Sequence, residues 1–285
     1  MPASIRLLII DPQVDFCDGP AGGALPVPGA WADMTRLAAM IDRLGPRIGA
    51  IDVTLDSHHA VDIAHAAWWV DGLGRNPPPY TLITAADVAS GVWTPRNSDW
   101  RQRSLNYLRK LDAAGKYVLC VWPAHCLIGS PGHAVQPDLL AALQRWERRD
   151  LAMVNFVSKG SNPFTEHYSA VQAEVPDPSD PSTQLNRALI EALRESDEIM
   201  IAGEALSHCV KSTVVDIADH IGVDHTGVEH VKKFVFLADC SSPVPMVPGG
   251  PDFPALGRAF VAEMQARGMQ VSTSAHFLAA PDCRI

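Results

Sequence analysis

Glu198-Ile199-Met200-Ile201-Ala202-Gly203-Glu204-Ala205-Leu206-Ser207-His208-Cys209-Val210 is the stretch on which the reading of this chain turns. Its apolar run over 198–202 has the length and composition of a buried strand. A glycine and small residues follow, and Val210, Val214, Ile217, Ala218 and Ile221 then recur at helical spacing. The Cys209 thiol therefore stands at a strand-to-helix turn, with the amino end of the new helix behind it. Free N–H groups and the helix dipole at such a place favour the thiolate, which is the nucleophilic form. A buried structural cysteine leaves the same local signature. Taken alone, the stretch suits both readings.

The same alternation extends along the chain in both directions. Candidate strands fall at 6–10, 50–55, 117–122, 152–157, 198–202, 234–238 and 270–273, and candidate helices at 31–44, 97–114, 137–148, 183–195, 210–221 and 254–267. Strands alternating with amphipathic helices predict a parallel sheet covered on both faces. In such sheets ligands bind at the carboxyl ends of the strands. Asp11, Asp56, His125, Lys159 and Cys209 all sit just after candidate strands. Five chemically capable side chains in that position exceed what packing demands. Residues 72–97, with Pro77-Pro78-Pro79, read as an ordered insertion: a surface cover, a lid over the site or an oligomer contact. The rest of 1–285 reads as a single domain.

Composition narrows the class. At 285 residues and 47% hydrophobic, the chain can bury one large core. The net charge is -9 and no Lys/Arg-rich run is present, so neither nucleic acid nor an anionic membrane is the expected partner. Six cysteines without a CxxC pair do not make a disulfide framework. No apolar run approaches the ~20 residues that span a bilayer, and the amino terminus is not built as a signal peptide. The default is a reduced, cytoplasmic protein, and a homo-oligomer is expected.

Two constellations carry chemistry. Asp11 leaves the run Leu7-Leu8-Ile9-Ile10, where a carboxylate serves as a loop anchor or a site residue. Lys159, ending another strand, would lower a neighbouring thiol's pKa and hold a carboxylate if the fold brings them together. The second is Asp56-Ser57-His58, whose two ligating side chains alternate to the same side of a strand end. Trp122-Pro123-Ala124-His125-Cys126 adds another imidazole. Two imidazoles and a carboxylate with open positions suit zinc, iron or manganese. A polar loop with satisfied histidines is the plainer reading.

Taken in order, these motifs resemble the nicotinamidase/isochorismatase-like cysteine hydrolases. The resemblance rests on Asp11-Pro12-Gln13-Val14-Asp15-Phe16, Asp56-Ser57-His58, Trp122 to Cys126, Lys159-Gly160 with His167-Tyr168-Ser169-Ala170, and Gly203 to Val210. It implies an α/β/α sandwich with a six-stranded, mainly parallel sheet. It also implies a triad: Asp11 as general base and later acid, Cys209 as nucleophile, and Lys159 stabilising the thiolate and orienting the carboxylate. Asp56, His58 and His125 match the family's metal ligands, and zinc is the expected ion, with iron and manganese as alternatives. Phe16 matches an aromatic that packs on the substrate ring, with Trp68 or Trp69 for the opposite wall. Glu204–Ala205 matches a cis peptide, and the Ala205 and Cys209 N–H groups would form the oxyanion hole.

The chain departs from the pattern at Leu206-Ser207, where Thr-Asp is common, at Glu204 for an apolar residue and at His59 for a proline. His65 only approximately matches a further histidine. The expectation is a metal-assisted amidase that cleaves a small carboxamide to acid and ammonia through a thioester, nicotinamide first among substrates. Another C–N hydrolase acting on a ureido or lactam group is the nearest rival. An isochorismatase needs neither the thiol nor the metal, a retired binding protein would not need all three triad residues, and a structural zinc site favours four ligands rich in cysteine.

Overall fold

The computed structural model describes residues 5–20, 22–222, 229–246 and 251–278. Its strands are β1 (Ile5–Ile10), β2 (Ile48–Asp56), β3 (Trp69–Val70), β4 (Leu82–Ile83), β5 (Thr94–Pro95), β6 (Leu119–Cys120), β7 (Asn155–Lys159), β8 (Glu198–Gly203), β9 (Phe234–Leu237) and β10 (Gln270–Ser272). Six of them form one sheet in the order β10-β9-β8-β1-β2-β7, parallel throughout. The helices are α1 (Ala30–Leu44), α2 (Ala85–Ser90), α3 (Arg101–Ala113), α4 (Pro137–Asp150), α5 (Arg187–Arg194), α6 (Lys211–Ile221) and α7 (Phe253–Ala266). α1 packs on α4, and α6 packs on both α5 and α7. The result is the expected three-layer α/β/α sandwich.

Central strands in such a sheet are buried on both faces, so they read as continuous apolar runs rather than alternating ones. Leu7 to Ile10 of β1 and Ile199 to Ala202 of β8 are fully enclosed. Helix boundaries follow their caps. Gln136 accepts a hydrogen bond from Leu139 N–H ahead of Pro137 at the first position of α4. Thr84 and Asp87 form a reciprocal capping box on α2.

One expected strand belongs elsewhere. Residues 117–122 do not join the main sheet. Leu119–Cys120 pairs antiparallel with Leu82–Ile83, inside the 72–97 segment. An apolar run announces burial but not its partner, and a parallel neighbour was the wrong inference. His125 thus reaches the site from a loop, tied to the end of β2 by bridges between His58 and Leu127 and between His65 and Trp122. The insertion is ordered, holding β4, α2 and β5, the last paired with β3.

Candidate active site

Four adjacent strands deliver the chemistry. In the spatial order β8, β1, β2, β7, their carboxyl ends carry Cys209, Asp11, Asp56 and Lys159. Two glycines permit the close approach. Gly203 takes φ +120°, and a Cβ there would overlap the Ile10 carbonyl, so β8 and β1 end in contact. Glu204 N–H then donates to Ile10 O at 2.8 Å. Gly160 takes φ +84°, and its Cβ would stand 2.9 Å from Asp56 Oδ1. After Gly203 the Glu204–Ala205 peptide is cis. Leu206–Val210 makes a π-helical turn before α6, with Ala205 O accepting from His208 and Val210 N–H.

Lys159 is the hub. Its Nζ lies 2.9 Å from Asp11 Oδ2 and 2.9 Å from Asp56 Oδ1. It also donates to His167 O at 2.7 Å and to Cys209 Sγ at 3.7 Å. Burial alone would lower its pKa, but Asp11, Asp56 and the Cys209 sulfur outweigh burial and hold it well above the usual lysine value. It is a fixed ammonium. Asp11 is raised, chiefly by burial, with Lys159 opposing. Cys209 is raised well above the ordinary thiol range, again by burial, with Lys159 again opposing. The helix amino end therefore does not set the sulfur's resting state, as the sequence argument assumed. Burial wins, and the resting site holds a thiol beside a carboxylate rather than a free-standing thiolate.

A second cluster adjoins Lys159 through Asp56. Asp56 Oδ2 stands 3.0 Å from His58 Nε2 and 3.4 Å from His125 Nε2. His65 Nε2 lies 3.4 Å from His125 Nδ1. His58, His65 and His125 place one ligating atom each within 4.8 Å of one another, all buried. Asp62 Oδ2, 3.1 Å from His58 Nδ1, fixes that ring as outer-shell carboxylates commonly do. Burial and the His58 and His125 charges push His65 down to about 2, keeping it neutral, the ligating form. Its Nδ1 is buried without a hydrogen-bond partner. Three imidazoles converging beside a carboxylate, one with an orphaned nitrogen, fit a divalent transition metal.

Between the clusters lies a small cavity of about 30 Å³ lined by Phe16, Trp122, Tyr168, His208, Asp56, His125, Glu166 and Cys209, among others. Phe16 stands edge-on to His125 at 5.3 Å. Trp68 and Trp69 do not line it, contrary to expectation. Both are fully buried, Trp68 stacked on Trp100 at 4.3 Å and Trp69 donating to Ile63 O at 2.8 Å. Trp122, Tyr168 and His208 supply the aromatic surface instead. His65, Asp62, Trp122, Glu166 and His208 went unassigned from the sequence. The acidic and His spacing after Asp56 was a faint signal for the first two. Burial lowers His208 to about 3, so it too is neutral.

No family model matches the chain. It is 27% identical over 212 residues to the nicotinamidase of Escherichia coli K12, covering 74% of each chain. In fold it is similar to a nicotinamidase/pyrazinamidase of Acinetobacter baumanii, with a TM-score of 0.61, 20% identity and coverage of 98% of this chain and 100% of that one. The pyrazinamidase of Pyrococcus horikoshii, solved in complex with zinc, matches with a TM-score of 0.53, 19% identity and coverage of 95% and 99%. A doubly covered parallel sheet with its polar groups at the strand ends is the arrangement in which α/β proteins bind their ligands. The chain is thus similar in sequence to a curated nicotinamidase and in fold to nicotinamidases and pyrazinamidases, which are amidases of the isochorismatase-like hydrolase fold. Among the described residues, no helix is long and apolar enough to cross a membrane.

Proposed function

We propose that this chain is a metal-assisted cysteine amidohydrolase that cleaves a small aromatic carboxamide, nicotinamide first, to the acid and ammonia. The observation that carries the reading is Lys159 Nζ, 2.9 Å from Asp11 and 3.7 Å from the Sγ of Cys209, a residue that lines an aromatic-walled cavity. Asp11 takes the Cys209 proton as sulfur attacks the amide carbon, so the thiolate exists only as it reacts. Lys159 stays charged throughout and stabilises both anions. The Ala205 and Cys209 N–H groups receive the developing oxyanion. Asp11 passes the proton to the leaving nitrogen, ammonia departs and a thioester remains. Asp11 then draws a proton from water, which releases the acid and restores the thiol.

Asp56, His58, His65 and His125 would hold a divalent metal, zinc by preference, with iron and manganese as alternatives. Bound there, the metal would act as a Lewis acid that orients a ring nitrogen. Phe16, Trp122 and Tyr168 hold a flat ring by offset contacts, worth about 1 kcal/mol each beyond area burial. Ammonia release from nicotinamide, pyrazinamide, aliphatic amides, ureides and lactams tests the reading. Aromatic carboxamides should lead. Release from ureides or lactams alone would replace the substrate class, and no release with any would overturn the function.

A further inference from the structure

We infer that Thr54 is a positioning residue for Asp11, fixing which oxygen of that carboxylate receives the Cys209 proton. The inference rests on the proposed role of Asp11 as base. Thr54 lies on β2, beside β1, two residues before Asp56, and is fully buried. The local run Ile51-Asp52-Val53-Thr54-Leu55 is otherwise built for a strand interior, where valine would fill nearly the same volume. A buried hydroxyl is costly unless hydrogen-bonded. This one makes two bonds to a single residue: it accepts from Asp11 N–H at 3.0 Å and donates to Asp11 Oδ1 at 2.5 Å.

The consequence is an asymmetric carboxylate. Asp11 has φ +45°, in the left-handed region that few residues with a side chain adopt. Oδ1 is engaged by the hydroxyl's one proton. Oδ2 faces Lys159 Nζ at 2.9 Å, yet has no hydrogen bond of good geometry and is buried from solvent. The ammonium supplies charge on that side without saturating the oxygen. Thr54 thus leaves Oδ2 as the available acceptor, on the side where Lys159 also reaches Cys209 Sγ. Without the hydroxyl, the carboxyl group is free to rotate about its bond to Cβ. Oδ1 would then compete for the lysine, and the base would spend less time aimed at sulfur.

Steady-state kinetics on nicotinamide with the metal-loaded enzyme tests this. Misplacing a reacting group by about an ångström costs on the order of 100-fold. Thr54→Val should lower kcat by ~10–100-fold and leave KM within ~3-fold, because the substrate contacts are untouched. Thr54→Ser should recover most of kcat, whereas Thr54→Ala should not. The serine and alanine variants share the loss of the γ-methyl, so their difference reports the hydroxyl even if both are less stable. Equal kcat for serine and alanine variants, or a Thr54→Val defect in KM alone, would overturn the inference while an inactive Asp11→Asn keeps Asp11 as the base. An active Asp11→Asn enzyme would instead remove the base itself, and with it the role assigned to Thr54.

Discussion

At the scale of the residue, the site divides labour among groups whose charges are set by burial and by one ammonium. Cys209 is held as a thiol and Lys159 as a cation, and in the proposed mechanism Asp11 beside them accepts the proton. Cys209→Ala should therefore abolish turnover while leaving melting behaviour intact, since its sulfur meets Lys159 rather than filling a core void. Activity within about tenfold of wild type, under about 1.4 kcal/mol of barrier, would remove Cys209 from the mechanism. Asp11→Asn and Lys159→Ala should each cost heavily, and the double variant little more than either, as residues of one unit do. Multiplying losses would separate them. Phe16→Ala should raise KM for an aromatic amide more than for an aliphatic one. Trp68→Ala, by contrast, should cost about 3–5 kcal/mol of stability, because that ring is packed in the core. The tryptophans also show why a sequence cannot separate a core from a slot: both uses ask for large apolar rings, and only the path of the chain distinguishes them.

At the scale of the element, the β8-to-α6 turn governs how the site assembles. Gly203→Ala places a Cβ against the Ile10 carbonyl at φ +120°. Backbone strain of that kind costs about 1–3 kcal/mol, which chemical denaturation would read directly. Glu204, next in the chain, is fully buried, with Oε2 accepting from Ser242 N–H at 3.1 Å and Oε1 unpartnered. Burial first, then Asp33, raises its carboxyl well above the usual carboxylate range. Folding thus favours the protonated form. Its contribution is complete below the unfolded value and is lost as pH rises from there through the folded one. Between pH ~5 and ~8 the wild-type melting temperature should fall more steeply than that of Glu204→Gln, which stays neutral. Parallel slopes for the two proteins would exclude Glu204 as the titrating group. The turn itself was legible, because a strand, a glycine and a helical repeat are local signals. The π-helical step and the dominance of burial over the helix dipole were not, since both depend on what packs around the turn.

At the scale of the whole molecule, the sheet order explains why residues far apart in sequence converge. Strands β8, β1, β2 and β7 are neighbours, so their carboxyl ends form one row from Cys209 to Lys159. The central strands could be read from their apolar runs. Edge strand β7 is largely exposed and starts at Asn155, three residues later than the apolar pattern suggested. Segment 117–122 had the composition of a sheet strand but folds onto the 72–97 insertion, a long-range choice that periodicity does not encode. His65 joins the histidine cluster for the same reason: its spacing from Asp56 was a faint signal, and its place depends on the loop leaving β2. In the proposed mechanism the row of strand ends serves a single chemical event, the transfer of an acyl group to Cys209. Its most direct measurement is the intact mass of metal-loaded enzyme acid-quenched during turnover of nicotinamide, with peptide mapping of the adduct. The account predicts one added nicotinoyl group, located on the peptide bearing Cys209 and missing from Cys209→Ala. Steady ammonia release with no acyl adduct on wild type, under quench times that resolve single turnovers, together with full release by Cys209→Ala, would contradict it.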